Sequence, residues 1–486
     1  MKNKLLKNTL IIIITGFIVK IIGMFGKIIT TRILGVNGMS KYILSYPTLL
    51  LFINIAGFSM NNTMSKLVSE AIATKKYSPK ILLKKGIKTT LIVSSICIII
   101  YLLSTKTITS FLLKDQDLFY PLLVGTFLIP LVGVSDALRG YYNGLKEVKT
   151  ASCSLLLEQI FRTTCSIIGI FIGMKHSIIV ATALLYIALS IGEIVSITYC
   201  LIKIIKNKPT HYLNTNGEQK IITKTASYLT LSRIIGSISY FLEPILYTNI
   251  LLYLNYETEF IHNTYTTIDA YTIPLLTIIS FIPFSLSTAI IPHISESYVN
   301  KESNKLSFYL KKAYFTTLFP AFIFLIIIYF YHDELMYLLF KSYAGAKLAK
   351  NVSLLFIFYY INIISSSILQ AIGEVKIILT NSLFSNILRL FLILVLPFFP
   401  TINANSILYS IIICLFISAI FNLTIVLYKT KLKISISNIF KYLLIFLLSF
   451  SLLILFTHFK INYFISIIFI IILNFMFFIL IIRKKI

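Results

Sequence analysis

Two lysines stand in this chain where lysine is costly. Lys20 lies at the midpoint of the apolar run from Leu10 to Leu34, and Lys27 lies nearer its far end. A lysine at the centre of a membrane-spanning helix costs about 2.5–3.5 kcal/mol or more, so it needs a partner or a wet cavity. The two are seven residues apart, roughly two helical turns, which puts both on nearly one face. Three arginines are set in other apolar runs: Arg162, Arg233 and Arg389. Together these side chains suit an anion such as phosphate or pyrophosphate, because arginine can hold two oxygens at once. The plainer reading is that the charges only tie helices together. That reading is strongest for Arg162, since Glu158 precedes it by one turn in the favoured acid-then-base order. It is weakest for Lys20, which has no acid near it in its own helix. Glu158, Glu193 and Glu243 are the candidates for ion coupling or charge pairing, the last two with a lysine across helices.

Little else in the chain suggests chemistry. Cys97, Cys153, Cys165, Cys200 and Cys414 form no CxxC and read as packing residues. The six histidines are scattered without ligand spacing, and no nucleophile constellation or phosphate loop occurs. The expectation is a transporter rather than an enzyme, with no cofactor and no metal. The net charge of +27 first suggests nucleic acid, but the lysines gather between apolar runs, so they read as charges that set membrane topology. The lysine-rich start followed by an apolar run mimics a signal peptide. Lys20 and the lack of a small-x-small site favour a retained first helix instead.

The elements that must position these residues are membrane helices. With 57% hydrophobic residues and apolar runs near 20 residues from end to end, the chain reads as all-α and polytopic. Fourteen transmembrane helices are expected, at about 8–33, 42–64, 89–105, 118–136, 153–173, 177–202, 227–252, 270–293, 313–331, 351–371, 377–397, 406–428, 439–457 and 462–482. With the N-terminus inside, the inner segments hold 30 of the 44 lysines and arginines, the outer segments 9 and the spans 5. That bias predicts a multi-pass protein of the bacterial cell membrane with both termini in the cytoplasm.

The spans also repeat. Lys20-Ile-Ile-Gly23 is echoed by Arg233-Ile-Ile-Gly236, Pro47 by Pro274, Glu147-Val-Lys149 by Glu374-Val-Lys376, and Arg162 by Arg389. The last three echoes share an offset of 227 residues, and the first has 213. A duplicated six-helix unit follows. Because six is even, the two copies run parallel about an axis along the membrane normal, with a central cavity expected between them. The expected division is a first lobe over 1–204, a cytoplasmic linker over 205–226, a second lobe over 227–428, and two further helices over 429–486. Pro47, Pro274, Pro283 and Pro292 mark helix bends, and Asn54, Asn61, Asn62, Asn381 and Asn386 are candidate hydrogen-bonding partners for sugar hydroxyls.

Several stretches resemble a known family. Ser65-Lys-Leu-Val-Ser-Glu-Ala71, Leu138-Arg-Gly-Tyr-Tyr-Asn-Gly144, the Glu158-Gln159 and Arg162 set, Ser232-Arg-Ile-Ile-Gly-Ser-Ile-Ser-Tyr-Phe-Leu-Glu-Pro244 and Ser287-Thr-Ala-Ile-Ile-Pro-His-Ile-Ser295 are similar to the stage V sporulation protein B family. That family belongs to the polysaccharide-transporter branch of the multidrug/oligosaccharidyl-lipid/polysaccharide flippase superfamily. The resemblance covers spans one to twelve. It implies two six-helix lobes with alternating access, moving undecaprenyl-pyrophosphate-linked sugars such as lipid II, with spore cortex as one use. It also implies essential basic residues in the first helix, here Lys20 and Lys27 as lysines where arginine is usual. In related flippases the second helix is basic too, whereas Leu50, Leu51 and Phe52 stand here. The extra helices beyond twelve are expected to form a groove for the lipid tail. Implied partners are a lipid-linked oligosaccharide, membrane lipids and cell-wall synthesis proteins, with no nucleic acid. The competing expectations are a cation-coupled multidrug exporter of the same superfamily, which calls for an acidic cavity, and a non-transporting scaffold.

Overall fold

The computed structural model describes residues 2–75, 77–206, 218–432 and 436–483, and among them it is helical with no strand. Helix is the form in which an apolar chain can satisfy its own backbone in lipid. The chain divides into two compact units, Met1–Thr266 and Thr267–Ile486.

Unit 1 begins with α1 (Lys2–Ala56), which is two helices joined end to end at Gly35, where φ is 66°. Only glycine adopts that conformation at no steric cost, so the expected first and second spans meet there. A second break follows at Gly57-Phe58-Ser59. Phe58 and Ser59 both have positive φ, at 46° and 44°. Next come α2 (Met60–Thr74), α3 (Pro79–Thr107), α4 (Phe119–Gly125), α5 (Leu128–Gly144), α6 (Val148–Gly173), α7 (Ile178–Lys206), α8 (Glu218–Tyr253) and α9 (Thr258–Thr266). Pro79 opens α3 at a position where a missing N–H costs nothing. α6 packs on α1 and α7, α5 on α2, α3 and α7, and α8 on α1 and α3. Buried tyrosines bond back to the chain: Tyr101 donates to the Leu122 carbonyl at 2.9 Å and Tyr142 to the Cys200 carbonyl at 2.8 Å.

Unit 2 holds α10 (Ile273–Thr277), α11 (Phe281–Val299), α12 (Ser303–Phe340), α13 (Ala346–Ser353), α14 (Ile357–Ala371), α15 (Val375–Val395), α16 (Ser406–Thr430), α17 (Ile436–His458) and α18 (Tyr463–Arg483). α16 packs on α14 and α15, and α11 on α12 and α14. α17 and α18 pack on α12 through a core that includes Ile326, Ile327, Leu453 and Ile470. Asn474 donates to Ser449 at 3.0 Å inside that pair.

Ten described segments are long and apolar enough to cross a membrane, and Leu444–His458 and Tyr463–Phe478 are shorter apolar helices. One of the ten, Ile14–Thr74, takes in the first two expected spans. The expected eighth span is divided into a wide turn at Thr267–Thr272, α10, a tight turn at Ile278–Ser280, and α11, with Pro274 in the first turn of α10. The fold class is the expected one; the join at Gly35 and the divided eighth span account for two of the four spans by which the counts differ, and the two shorter apolar helices for the rest. Residues 218–226, expected as linker, are the first turns of α8. The rest of that linker, 207–217 with Pro209, Asn214, Asn216 and Gly217, lies outside the described residues. The compact units part after α9, because α8 and α9 pack with the helices before them, whereas the repeat places its boundary near 227.

Candidate functional site

The basic face of α1 is positioned by two glycines. A Cβ at Gly23 would come within 3.3 Å of Gln159 Nε2, and one at Gly26 within 2.8 Å of the Thr163 methyl. Glycine therefore lets α1 approach α6 more closely than any other residue would. Gln159 donates to Thr163 at 3.1 Å, fixing the α6 side of this contact. Lys20, one turn before Gly23, is half-buried, and Lys27, just after Gly26, is exposed.

Beside that contact, α5, α6 and α7 hold a buried network of charges. Arg139 on α5 pairs with Glu158 on α6, and Arg162 on α6 pairs with the same Glu158. Arg162 also reaches Glu193 on α7 at 3.2 Å, and Arg139 reaches Asp136 at 3.3 Å and Glu193 at 3.6 Å. Glu158 and Glu193 are only 4% and 2% exposed. Formally, three carboxylates face two guanidiniums. The sequence pairing of Glu158 with Arg162 is found, and Glu193 joins them across helices. Arg139 falls just beyond the expected fourth span, 118–136, where a basic residue reads as a topology-setting inner charge. It is instead buried within α5 and central to the network. Its signal in the sequence was Asp136 three residues earlier on an apolar helix.

The remaining candidates lie elsewhere. Arg233 is exposed on α8, one turn before Ser237, which accepts a hydrogen bond from Asn54 of α1 at 2.8 Å. Glu243 is buried in the same helix. Arg389 is half-buried on α15 in unit 2. The asparagines proposed for sugar contacts mostly join helices: Asn61 donates to Asp136 at 3.5 Å, and Asn381 donates to the Ser418 carbonyl at 3.3 Å. No group of three or more His, Cys, Asp or Glu among the described residues is arranged to hold a metal.

Unit 2 carries a neutral cluster where unit 1 is charged. Asn422 on α16 donates to Asn362 at 2.8 Å and to Ser366 at 3.0 Å, both on α14. Ser366 stands 227 residues after Arg139, and Asn362 and Asn422 fall within two residues of the places equivalent to Asp136 and Glu193.

Comparison with known proteins agrees with this architecture. Residues 5–298 match the family described as polysaccharide biosynthesis protein, and residues 268–395 match the MatE family. The stage V sporulation protein B of Bacillus subtilis (strain 168) is 29% identical over 412 residues, covering 83% of this chain and 79% of that protein. The lipid II flippase MurJ of the same organism is 24% identical over 184 residues, 36% of this chain and 34% of that one. Among solved structures, lipid II flippase MurJ in an inward closed conformation has a TM-score of 0.75 at 16% identity, covering 97% of this chain and 98% of that chain. An inward-facing multidrug resistance transporter of the MATE family, in the MOP superfamily, has a TM-score of 0.66 at 13% identity, covering 85% and 94%.

Proposed function

The chain belongs to the polysaccharide biosynthesis protein family, and from that premise we propose that it is a flippase for an undecaprenyl-pyrophosphate-linked sugar precursor. It carries the precursor from the inner to the outer leaflet of the cell membrane by alternating access, with both termini in the cytoplasm. Lipid II is the favoured cargo, and spore cortex is a natural use. The observation that carries this reading is the basic face of α1. Lys20 and Lys27 are two turns apart in the mainly apolar run 10–34 of α1, so they offer the pyrophosphate a countercharge inside the membrane. Arg233 and Arg389 are further anion-binding residues in this reading. Arg162, held by Glu158 and Glu193, is assigned to the charged network, and Glu193 and Glu243 remain candidates for ion coupling. The lipid II flippase relative supports this cargo class, and the stage V sporulation relative supports a use in sporulation.

The test is lipid II exposure at the cell surface in cells depleted of their own flippases and expressing this chain. Restored exposure, falling at least tenfold with Lys20→Ala at equal protein level, is the expected result. Full activity of that variant would remove the basic face from the mechanism. A second reading, a cation-coupled multidrug exporter, is favoured by the MatE match over 268–395. It predicts drug resistance in overexpressing cells, which the flippase reading does not.

A further inference from the structure

Three separate stretches of unit 1 bring charged or titratable side chains together where α3 gives way to α4. Lys41 on α1 donates to Asp115 at 2.7 Å and to Asp117 at 2.8 Å. His262 on α9 brings Nδ1 within 3.6 Å of the same Asp115 carboxylate. Nearby, Asn249 in α8 donates to the Leu112 carbonyl at 2.8 Å. The other end of α8 is held to α3, where Lys85 donates to Glu218 at 2.7 Å and Gln219 to Thr89 at 2.6 Å.

This cluster differs in kind from the Arg139 network. There, opening would strand Arg139, Glu158 and Glu193, whose side chains are at most 9% exposed, which is strongly unfavourable. Here Lys41 and Asp117 keep side-chain exposures of 20% and 53%, so they rehydrate when they part. Asp115 and His262 are enclosed while the contact is closed, and His262 Nε2 is buried without a hydrogen-bond partner. An unmet buried donor or acceptor weakens the closed form and is relieved when it opens. The cluster can therefore hold and also let go.

We propose that Lys41, Asp115, Asp117 and His262 form a latch that fastens α9, and with it the adjoining end of α8, to the rest of unit 1, and that this latch opens once in each transport cycle. The proposal rests on the alternating-access reading above, and the positive-inside orientation puts the latch at the outer face. Its centre is an ionised carboxylate. Burial alone pushes the Asp115 carboxyl up, but hydrogen bonding and charge from His262 and Lys41 outweigh it and hold the carboxyl below the usual carboxylate range. The other charged groups on these stretches, Lys114, Glu257 and Glu259, are exposed.

Cross-linking tests this. The five native cysteines are replaced, Asp115→Cys and His262→Cys are added, and a reducible bis-methanethiosulfonate reagent bridges the pair in intact membranes. Lipid II export by the double variant should fall at least tenfold on cross-linking and recover on reduction, while export by either single-cysteine variant is the same before and after the reagent. Failure to cross-link, or undiminished export by the bridged protein, would overturn the latch. If the cysteine-free parent exports no lipid II, that result counts against the flippase reading, and the latch is then judged by hydrogen exchange. Asp115→Asn in the purified full-length chain should speed amide exchange over residues 258–266 about tenfold and leave 148–206 unchanged. Equal exchange in both proteins would discard it.

Discussion

Arg162 and Lys20 are both cations in apolar helices, yet their surroundings assign them different work. Arg162 is enclosed by Glu158 and Glu193, and the same Glu158 also serves Arg139. Removing one partner from a buried pair typically costs about 3–5 kcal/mol, because the other charge stays behind. Glu158→Gln is therefore expected to lower the midpoint of thermal unfolding in detergent by many degrees. An unchanged midpoint would mean that Glu193 and Asp136 suffice for the two arginines. Lys20 sits on the glycine-lined face of α1, where charge rather than shape is the proposed contribution. Lys20→Arg should retain most flipping, and Lys20→Met should lose it with little change in unfolding. At this scale the sequence was half legible. A turn-spaced acid and base in one helix can be read directly, as with Glu158 and Arg162. Arg139 is harder to read, because Glu158 and Glu193 come from other helices and its place near a helix end reads as a loop charge, with only Asp136 one turn before it as a local signal.

Helix contacts in this protein are set by where side chains are missing. A Cβ at Gly140 would lie 2.3 Å from the Asn61 carbonyl oxygen, a backbone atom that cannot swing aside. Gly140→Ala should push α5 away from α2 and sharply reduce the amount of folded protein recovered. Gly16 in α1 has nothing within 4 Å of the same construction, so Gly16→Ala should be neutral or stabilising by up to about 1 kcal/mol. Measuring both by thermal unfolding separates glycine kept for packing from glycine that is merely tolerated. The elements themselves were legible, because long apolar runs leave helix as the only spanning form. Their interruptions were less so. Gly57 hints at the break after α1, but nothing local marks Phe58 and Ser59 as left-handed. Tertiary packing imposes that conformation against their own preference.

Across the whole chain, sequence repetition and spatial compactness draw different lines. The repeat puts a boundary near 227, while the compact units part after Thr266, because α8 is tied to α1 and α3 along its length. Repeats record descent, and contacts record one conformation, so neither line could be inferred from the other. The tie at Asp115 also gives stability a pH dependence. With its folded carboxyl held below the usual range, its contribution is present at neutral pH and is lost as pH falls through and below the ordinary carboxylate range. Wild-type protein should therefore lose unfolding temperature on acidification more steeply than Asp115→Asn. Parallel curves would show that the carboxylate adds nothing. The two polar clusters, charged in unit 1 and neutral in unit 2, bear on how such a chain can change over generations. The amide cluster on α14 and α16 can be altered one residue at a time at modest cost. The charged one resists change at its arginines, since losing either leaves three carboxylates, two of them buried, facing one guanidinium. Its two arginines are therefore the fixed points of the cluster, while the amides at the corresponding places of unit 2 stay free to drift.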